Sequence, residues 1–513
     1  MKSKFKAKPT IKLLSSTIAA STILLLAPIT QTQAAACVYN GENGTTIAGA
    51  VTCNQTGLSI TNSPNLKFSG DINTSGTVGS NGASTKVNSG TGGDGGLGGV
   101  GLSATGSTLT FASNSTVAGG VGGTGGNDEA IFHIGGIGGI GGIGNVGINA
   151  INSTLTFAST STVSGGIGGA GGTSFMNGTG GNGGDGGVGI SATGSTLTFA
   201  STSAVSGGIG ADGAIVVTED GSGSGGSGGV GANGINASNS TLAFTGSVTI
   251  NGGNGGSGAE GFGTGGRTVG NSGDAGIGIN AANTNIIFSS DVTINGGNGG
   301  NAGDALGSGI VGGNGGNAGV GISATDSTLT FLSTLVSVGG LGGEKGLGRF
   351  GGIPGQDGAS AIGINATNST LAFGGNVTTD KMELINTKII FNLDKNILEF
   401  TGGVATAPSE LTFNTTYDGD KSGRLQQVAD SFDMNAAKVI INLTEGVQFT
   451  PPKVGEIRAI PSVFVENDGT IVPPNDANIT FNIIDAKYPD LIDYVHVGGG
   501  VISSNIKPEL KDG

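Results

Sequence analysis

The undecapeptide Gly189-Ile190-Ser191-Ala192-Thr193-Gly194-Ser195-Thr196-Leu197-Thr198-Phe199 decides the fold. Val188, Ile190 and Ala192 alternate with Gly189 and Ser191, whereas Leu197 and Phe199 alternate with Thr196 and Thr198, so the apolar parity switches across Thr193-Gly194-Ser195. Period-two alternation on both sides of a turn residue predicts two short strands meeting at a corner, each turning its apolar side inward. The same block recurs as GLSATGSTLTF (101–111), GINAINSTLTF (147–157), GINASNSTLAF (234–244), GINAANTNIIF (278–288), GISATDSTLTF (321–331) and GINATNSTLAF (363–373). A divergent copy ends at Phe68, and the successive phenylalanines 68, 111, 157, 199, 244, 288, 331 and 373 are 43, 46, 42, 45, 44, 43 and 42 residues apart.

A further short strand is expected after each corner. Val117, Val163 and Val205 follow their phenylalanine by six residues, and Val248, Val292 and Val377 follow theirs by four. Length varies only in the glycine-rich stretches, such as Gly165 to Gly187, while the strand block keeps its length in all seven good copies. A unit that cannot bury its apolar side alone stacks on its neighbours, so the expectation is an all-β chain, a β-solenoid with glycine-rich loops. Each unit is either two coils of about 20 residues or one coil with a glycine-rich excursion, and the spacing leaves both open. The Gly-Gly-X triplets, as in Gly135 to Gly144, suit threefold polyglycine helices or mobile chain; because glycine is costly to order, partial disorder is the expectation.

Four segments follow from this reading. Residues 1–36 carry Lys2, Lys4, Lys6, Lys8 and Lys12, an apolar run from Ile18 to Ile29, and small residues to Ala36, the pattern of a secretory signal. The run is broken by Ser21, Thr22 and Pro28 and is too short for a spanning helix. Residues 37–56 form an N-terminal cap segment, 57–380 the eight repeats, and 381–513 a less regular β region. That last region contains strand-like KIIFNL (388–393), AAKVIINL (436–443) and NITFNIIDA (478–486).

Composition narrows the function. Of 513 residues 109 are glycine and 12 proline, charged residues are 11%, and the formal charge is −14. Loss of the signal removes five lysines, leaving 16 basic against 35 acidic groups, net −19. Between Cys37 and Asp380 the basic residues are Lys67, Lys86, Arg267, Lys345 and Arg349, too sparse for a nucleic-acid or anionic-lipid surface. No segment after the signal is long and apolar enough to cross a bilayer as a helix. Cys37 and Cys53, at the start of an exported chain, are read as a disulfide, with lipid attachment at Cys37 as the alternative.

Chemistry is sparse. No GxGxxG string opens a helix with an acid downstream, and no Walker sequence occurs. GGNGGDGGV (180–188) approaches a calcium nonapeptide but is not tandem, so Asp94, Asp185 and Asp304 are read as solvated loop carboxylates, with adventitious calcium as the rival. His133 and His496 are 363 residues apart and are read as ordinary surface histidines. The repeats offer Ser, Thr, Asn and Gly where a β-helical polysaccharide enzyme needs Asp, Lys and Arg on one ridge, so no catalytic residue, cofactor or metal is expected. Thr108/Thr110, Thr154/Thr156, Thr196/Thr198 and Thr328/Thr330 form outward Thr-x-Thr pairs like those of flat ice-binding solenoids. They recur only once per 43 residues, and solvent-facing β-branched residues are the plainer reading.

The Lys-rich signal followed by Gly-, Asn-, Ser- and Thr-rich repeats with STLTF blocks resembles the passenger of a bacterial autotransporter, and is similar to the rickettsial surface cell antigens. That resemblance implies a right-handed β-helix displayed at the cell surface or outer membrane, non-enzymatic, contacting a host-cell protein or glycan as an adhesin or antigen. The chain departs from the pattern in lacking the repeated ten-residue segments of a membrane barrel before Gly513, so a truncated passenger or a secreted structural repeat protein is the alternative.

Overall fold

The computed structural model describes residues 37–513, except 88–89, 130–134, 176, 218–221, 265–266, 395, 405, 419–420, 446–462, 467–469, 473–477, 485–491, 497–505 and 511–513. The signal-like segment 1–36 lies outside the described residues. Among the described residues there is no α-helix, and the chain winds as a parallel β-solenoid.

One coil of the repeat contains three strands, Ile190–Thr193, Thr196–Phe199 and Ser203–Ser206. Each lies parallel to its counterpart in the next repeat, residue for residue: Ile190 against Ile235, Leu197 against Leu242, Val205 against Ile250. Each unit is therefore one coil with a glycine-rich excursion. Seven coils carry the excursion, between the third strand and the next first strand. The coils at the two ends do not. Ile47 pairs with Phe68, 21 residues on, and Phe373 pairs with Phe391 and that with Phe413, steps of 18 and 22. The same ladder continues through Ile441 to Phe481, so the segment after 380 extends the solenoid.

The third strand corrects one expectation. Val248 pairs with Ser203, and Ile250 with Val205, so the strand does not shift in the later repeats. At a fixed register the inward pair changes from Ser and Val to Val and Ile at Val248 and Val292 and to Val and Thr at Val377, so the apparent four-residue spacing reflects an apolar residue at the first inward position.

The core is a column inside the coils. Phe111, Phe157, Phe199, Phe244, Phe288 and Phe331 are fully buried and stack face to face, with centroids 4.7–5.1 Å apart and planes within 9°. Such aromatic pairs add about 0.5–1.5 kcal/mol each beyond the area they bury. Parallel in-register pairing forces identical residues to sit above one another, which is why the sequence repeats phenylalanine at this position.

The corner is specified by two residues. The first adopts a left-handed φ of 48–50° at Asn152, Asn239, Asn283, Asp326 and Asn368, and of 58° at Gly106 and Gly194. Asn, Asp and Gly are the residues that tolerate this region. The next residue is a buried hydroxyl, and these hydroxyls form a ladder. Ser195 Oγ donates to the carbonyl of Thr193 and accepts from the amide of Ser153, whose own Oγ accepts from the amide of Ser107. The series runs on through Ser240, Thr284, Ser327 and Ser369. A buried amide at each corner is thereby satisfied by the following coil.

Cys37 and Cys53 are joined by a disulfide with 5.8 Å between their Cα atoms. Cys53 lies in the strand Val51–Cys53, so the bond closes the first coil on itself.

Candidate functional site: the glycine fin and the threonine face

Among the described residues the arms of the glycine-rich excursions are ordered, contrary to the expectation from glycine's entropy. Each excursion has an outgoing and a returning arm, and both carry hydrogen bonds with a period of three residues. In Gly119-Gly120-Val121-Gly122-Gly123-Thr124, the first glycine of each triplet donates to the outgoing arm of the next repeat: Gly119 to Ser164, Gly122 to Ile167. The second donates to a returning arm: Gly120 to Gly99, Gly123 to Gly96. A threefold helix turns successive amides into three fixed directions, and here those are sideways, inward and outward. This is a polyglycine II arrangement. The two layers are stitched by a continuous zigzag in which Gly96 donates to Ser80, Gly123 to Gly96, Gly142 to Gly123, Gly169 to Gly142 and Gly184 to Gly169, all at 2.6–2.8 Å.

Close approach explains the glycines. A Cβ added at Gly123 would lie 2.0 Å from the Ser80 carbonyl oxygen, and one at Gly142 would lie 1.9 Å from that of Gly96. Alanine takes the place of glycine at Ala211, Ala232 and Ala275, and Asn145 takes the inward position at the end of its arm, where its amide donates to Gly120. Isolated glycine triplets would not repay their ordering entropy; seven excursions side by side bond in all directions at once.

The outward position X carries the chemistry of the fin. Where X is Asn or Asp, its Oδ1 accepts the outward amide of the X residue one repeat on. Asp94 takes Ile140, Asn182 takes Ser227, Asp185 takes Val230, Asp274 takes Asn317 and Asp304 takes Leu347, at 2.7–2.9 Å. Asp94, Asp185 and Asp304 are thus backbone acceptors rather than merely solvated carboxylates, and Asp304 also holds Arg349 at 3.0 Å. Among the described residues, no group of three or more His, Cys, Asp or Glu gathers to hold a metal. His133 lies outside the described residues, and His496 ends the strand Ile492–His496.

Rows of X side chains run along both faces. One row is Val78, Val121, Ile167 and Ile209, all exposed, continuing as Asn254 and Asn298. On the opposite face Ile137, Ile140 and Ile143 are also exposed. Along the first row the side chains are apolar through Ile209, amides at Asn254 and Asn298, and apolar again at the exposed Leu341. The rows are not legible in the sequence because lateral packing sets X outward; the recurrence of GGN and GGD is the one signal of them there.

The second strand offers a different surface. Its outward residues form two rows. One runs Thr108, Thr154, Thr196, Thr241, Asn285, Thr328, Thr370; the other runs Thr110, Thr156, Thr198, Ala243, Ile287, Thr330, Ala372. Because one repeat is one coil, these pairs stand on adjacent coils about 4.8 Å apart, not spread along the chain. Where the rows meet the corner, a shallow polar depression of about 420 Å³ is lined by Asn239, Thr241, Asn283, Asn285, Asp326 and Thr328. Asn283 Nδ2 donates to Asn239 Oδ1 there at 2.6 Å.

The fold defines the chain as a parallel β-solenoid with a polyglycine fin. Compared with known proteins, it matches no family model and no curated protein. Among the described residues, no helix is long and apolar enough to cross a membrane.

Proposed function

We propose that the chain is an exported, non-enzymatic surface adhesin or antigen of the autotransporter-passenger kind. It acts through extended contact, with the fin as the displayed surface for a host-cell protein or glycan. The observation that carries this reading is the division of labour in each Gly-Gly-X triplet. Two residues are committed to backbone packing, and the third is free to vary and faces outward in rows. Nine residues of one arm span roughly 28 Å, so the fin stands well clear of the coil. Contact is spread over many weak, similar positions, and the sparse basic residues disfavour nucleic acid and anionic lipid.

Protease shaving of intact cells, followed by mass spectrometry of released peptides, tests the reading. Release of fin peptides containing Lys345 or Arg349 is the expected result. Absence of the chain from the surface of intact cells removes the adhesin reading and leaves a structural rod.

A further inference from the structure

The threonine face of the second strand belongs to none of the roles above, and its chemistry is specific. Thr108, Thr154, Thr196, Asn285 and Thr328 are exposed and Thr110, Thr156, Thr198 and Thr330 half-buried, and the threonine hydroxyls of the two rows make no hydrogen bond to another protein group. From Thr108 to Ala372 the two rows contain no charged residue; Lys67 precedes them and Lys388 and Glu410 follow. Along the rows the coil repeat spaces equivalent atoms by about 4.8 Å, and across them residues two apart in an extended strand are about 6.6 Å apart. Threonine is restricted at χ1, so hydroxyl and methyl groups are presented in a repeated orientation. Leu109, Phe111 and their equivalents pack the reverse side of the same strand without a void-forming small residue, so the face is backed by the stacked core.

We propose that this face binds ice. Within the two rows the hydroxyls and methyls are uncharged and recur with two fixed periods, as water oxygens do on the prism faces of ice. Each hydroxyl occupies a lattice position while the methyls sit between rows of water. A charged side chain would hold water in a geometry unlike the crystal; none stands in the two rows, and Asp326 borders them at the corner beside Thr328, away from the three all-threonine coils. The strongest segment is the three consecutive coils in which both rows are threonine, Thr108/Thr110, Thr154/Thr156 and Thr196/Thr198. Ala243, Ile287 and Ala372 keep the methyl and lose the hydroxyl. The spacing of 43 residues in sequence, which argues against this function, becomes one coil in space.

The test uses the purified full chain in a nanolitre osmometer and an ice-recrystallisation assay. The expected result is a freezing point below the melting point, with faceted crystals and arrested recrystallisation. Thr156→Tyr, at the centre of the face, should abolish most of the gap. Thr162→Tyr, exposed on the third strand, should leave it unchanged. Thr198→Arg gives a second break of the same face, and circular dichroism and the melting temperature establish that each variant is folded. A folded wild-type chain with no freezing gap and no faceting overturns the proposal without reference to any variant. So does an equal loss in Thr156→Tyr and Thr162→Tyr, or retention on insoluble cellulose with no effect on ice. None of these outcomes bears on surface display, which is tested on cells.

Discussion

Replacing Gly142 with valine should unlock the fin at one point and leave the coil intact. The new Cβ would lie 1.9 Å from the Gly96 carbonyl oxygen, 2.7 Å from its carbon and 2.9 Å from the Gly123 nitrogen. A carbon–oxygen contact needs about 3.3 Å, so the arm must retreat by more than about 1 Å. The amide of Gly142 donates to Gly123 and its carbonyl accepts from Gly169, both at 2.7 Å, and neither bond survives that displacement. At about 1 kcal/mol net per bond the loss is about 2 kcal/mol, with a further contribution from apolar side-chain crowding between the layers. Because each repeat touches only its neighbours, the damage should stay local. Hydrogen–deuterium exchange should show faster exchange at Gly123, Gly142 and Gly169 and unchanged exchange at Gly300, Gly316 and Gly343. The adjoining Ile143→Asn lies at the outward position and should change stability by less than about 0.5 kcal/mol. Equal effects of Gly142→Val and Ile143→Asn, or slow exchange retained at Gly123 and Gly169 in the valine variant, would refute the directional account of the triplet.

Phe199→Ala removes a fully buried ring stacked between Phe157 and Phe244 and should cost about 3–5 kcal/mol in denaturant unfolding; a loss under about 1 kcal/mol would mean that the column collapses around the gap. Reducing the Cys37–Cys53 bond, which closes 16 residues, should cost about 3 kcal/mol at the first coil, seen as exchange confined to residues before Phe68. Asn283→Ala should destabilise by about 1–2 kcal/mol through its φ of 49°, whereas Asn283→Gly should be nearly neutral on that score, because Gly194 holds the same corner at 58°. Hydrogen bonding from Lys388, aided by Lys438, holds the Glu410 carboxyl below its ordinary pKa despite partial desolvation. A lowered folded pKa gives stability that is present above the unfolded value near 4.3 and is lost as pH falls through the folded one. Glu410→Gln should therefore flatten part of the acid limb of the stability profile below about pH 4.3 and little else.

The coil was legible because its determinants are local. The parity switch at Thr193-Gly194-Ser195 marks the corner, and the phenylalanine spacing marks the stacking unit. The expectation of a β-solenoid is met by parallel ladders in register. The register of the third strand at Val248 is not legible locally, because a second inward apolar residue looks like a shorter spacing without its partner strand. The order of the fin is hidden in the sequence for a deeper reason. Glycine's entropy is a property of one chain, whereas the bonds that hold Gly123 come from repeats 27 and 19 residues away in either direction, at Gly96 and Gly142. The triplet period was in plain sight. Its consequence appears only when a helix with three residues per turn is surrounded by copies of itself. Likewise Asp185 sits in a string resembling a calcium motif, yet its Oδ1 accepts the amide of Val230, a partner set by lateral packing.

A polyglycine arm has its own unit of tolerated change. Inserting or deleting one Gly-Gly-X triplet adds or removes a complete turn, so every residue beyond the edit keeps its bearing. Any other indel inside a triplet run would rotate the remaining glycines toward solvent and drive side chains into the seam. The repeat spacings of 42 to 46 residues differ by single residues as well as by three, so those differences are taken up outside the triplet runs, while whole turns alone set the reach of the fin.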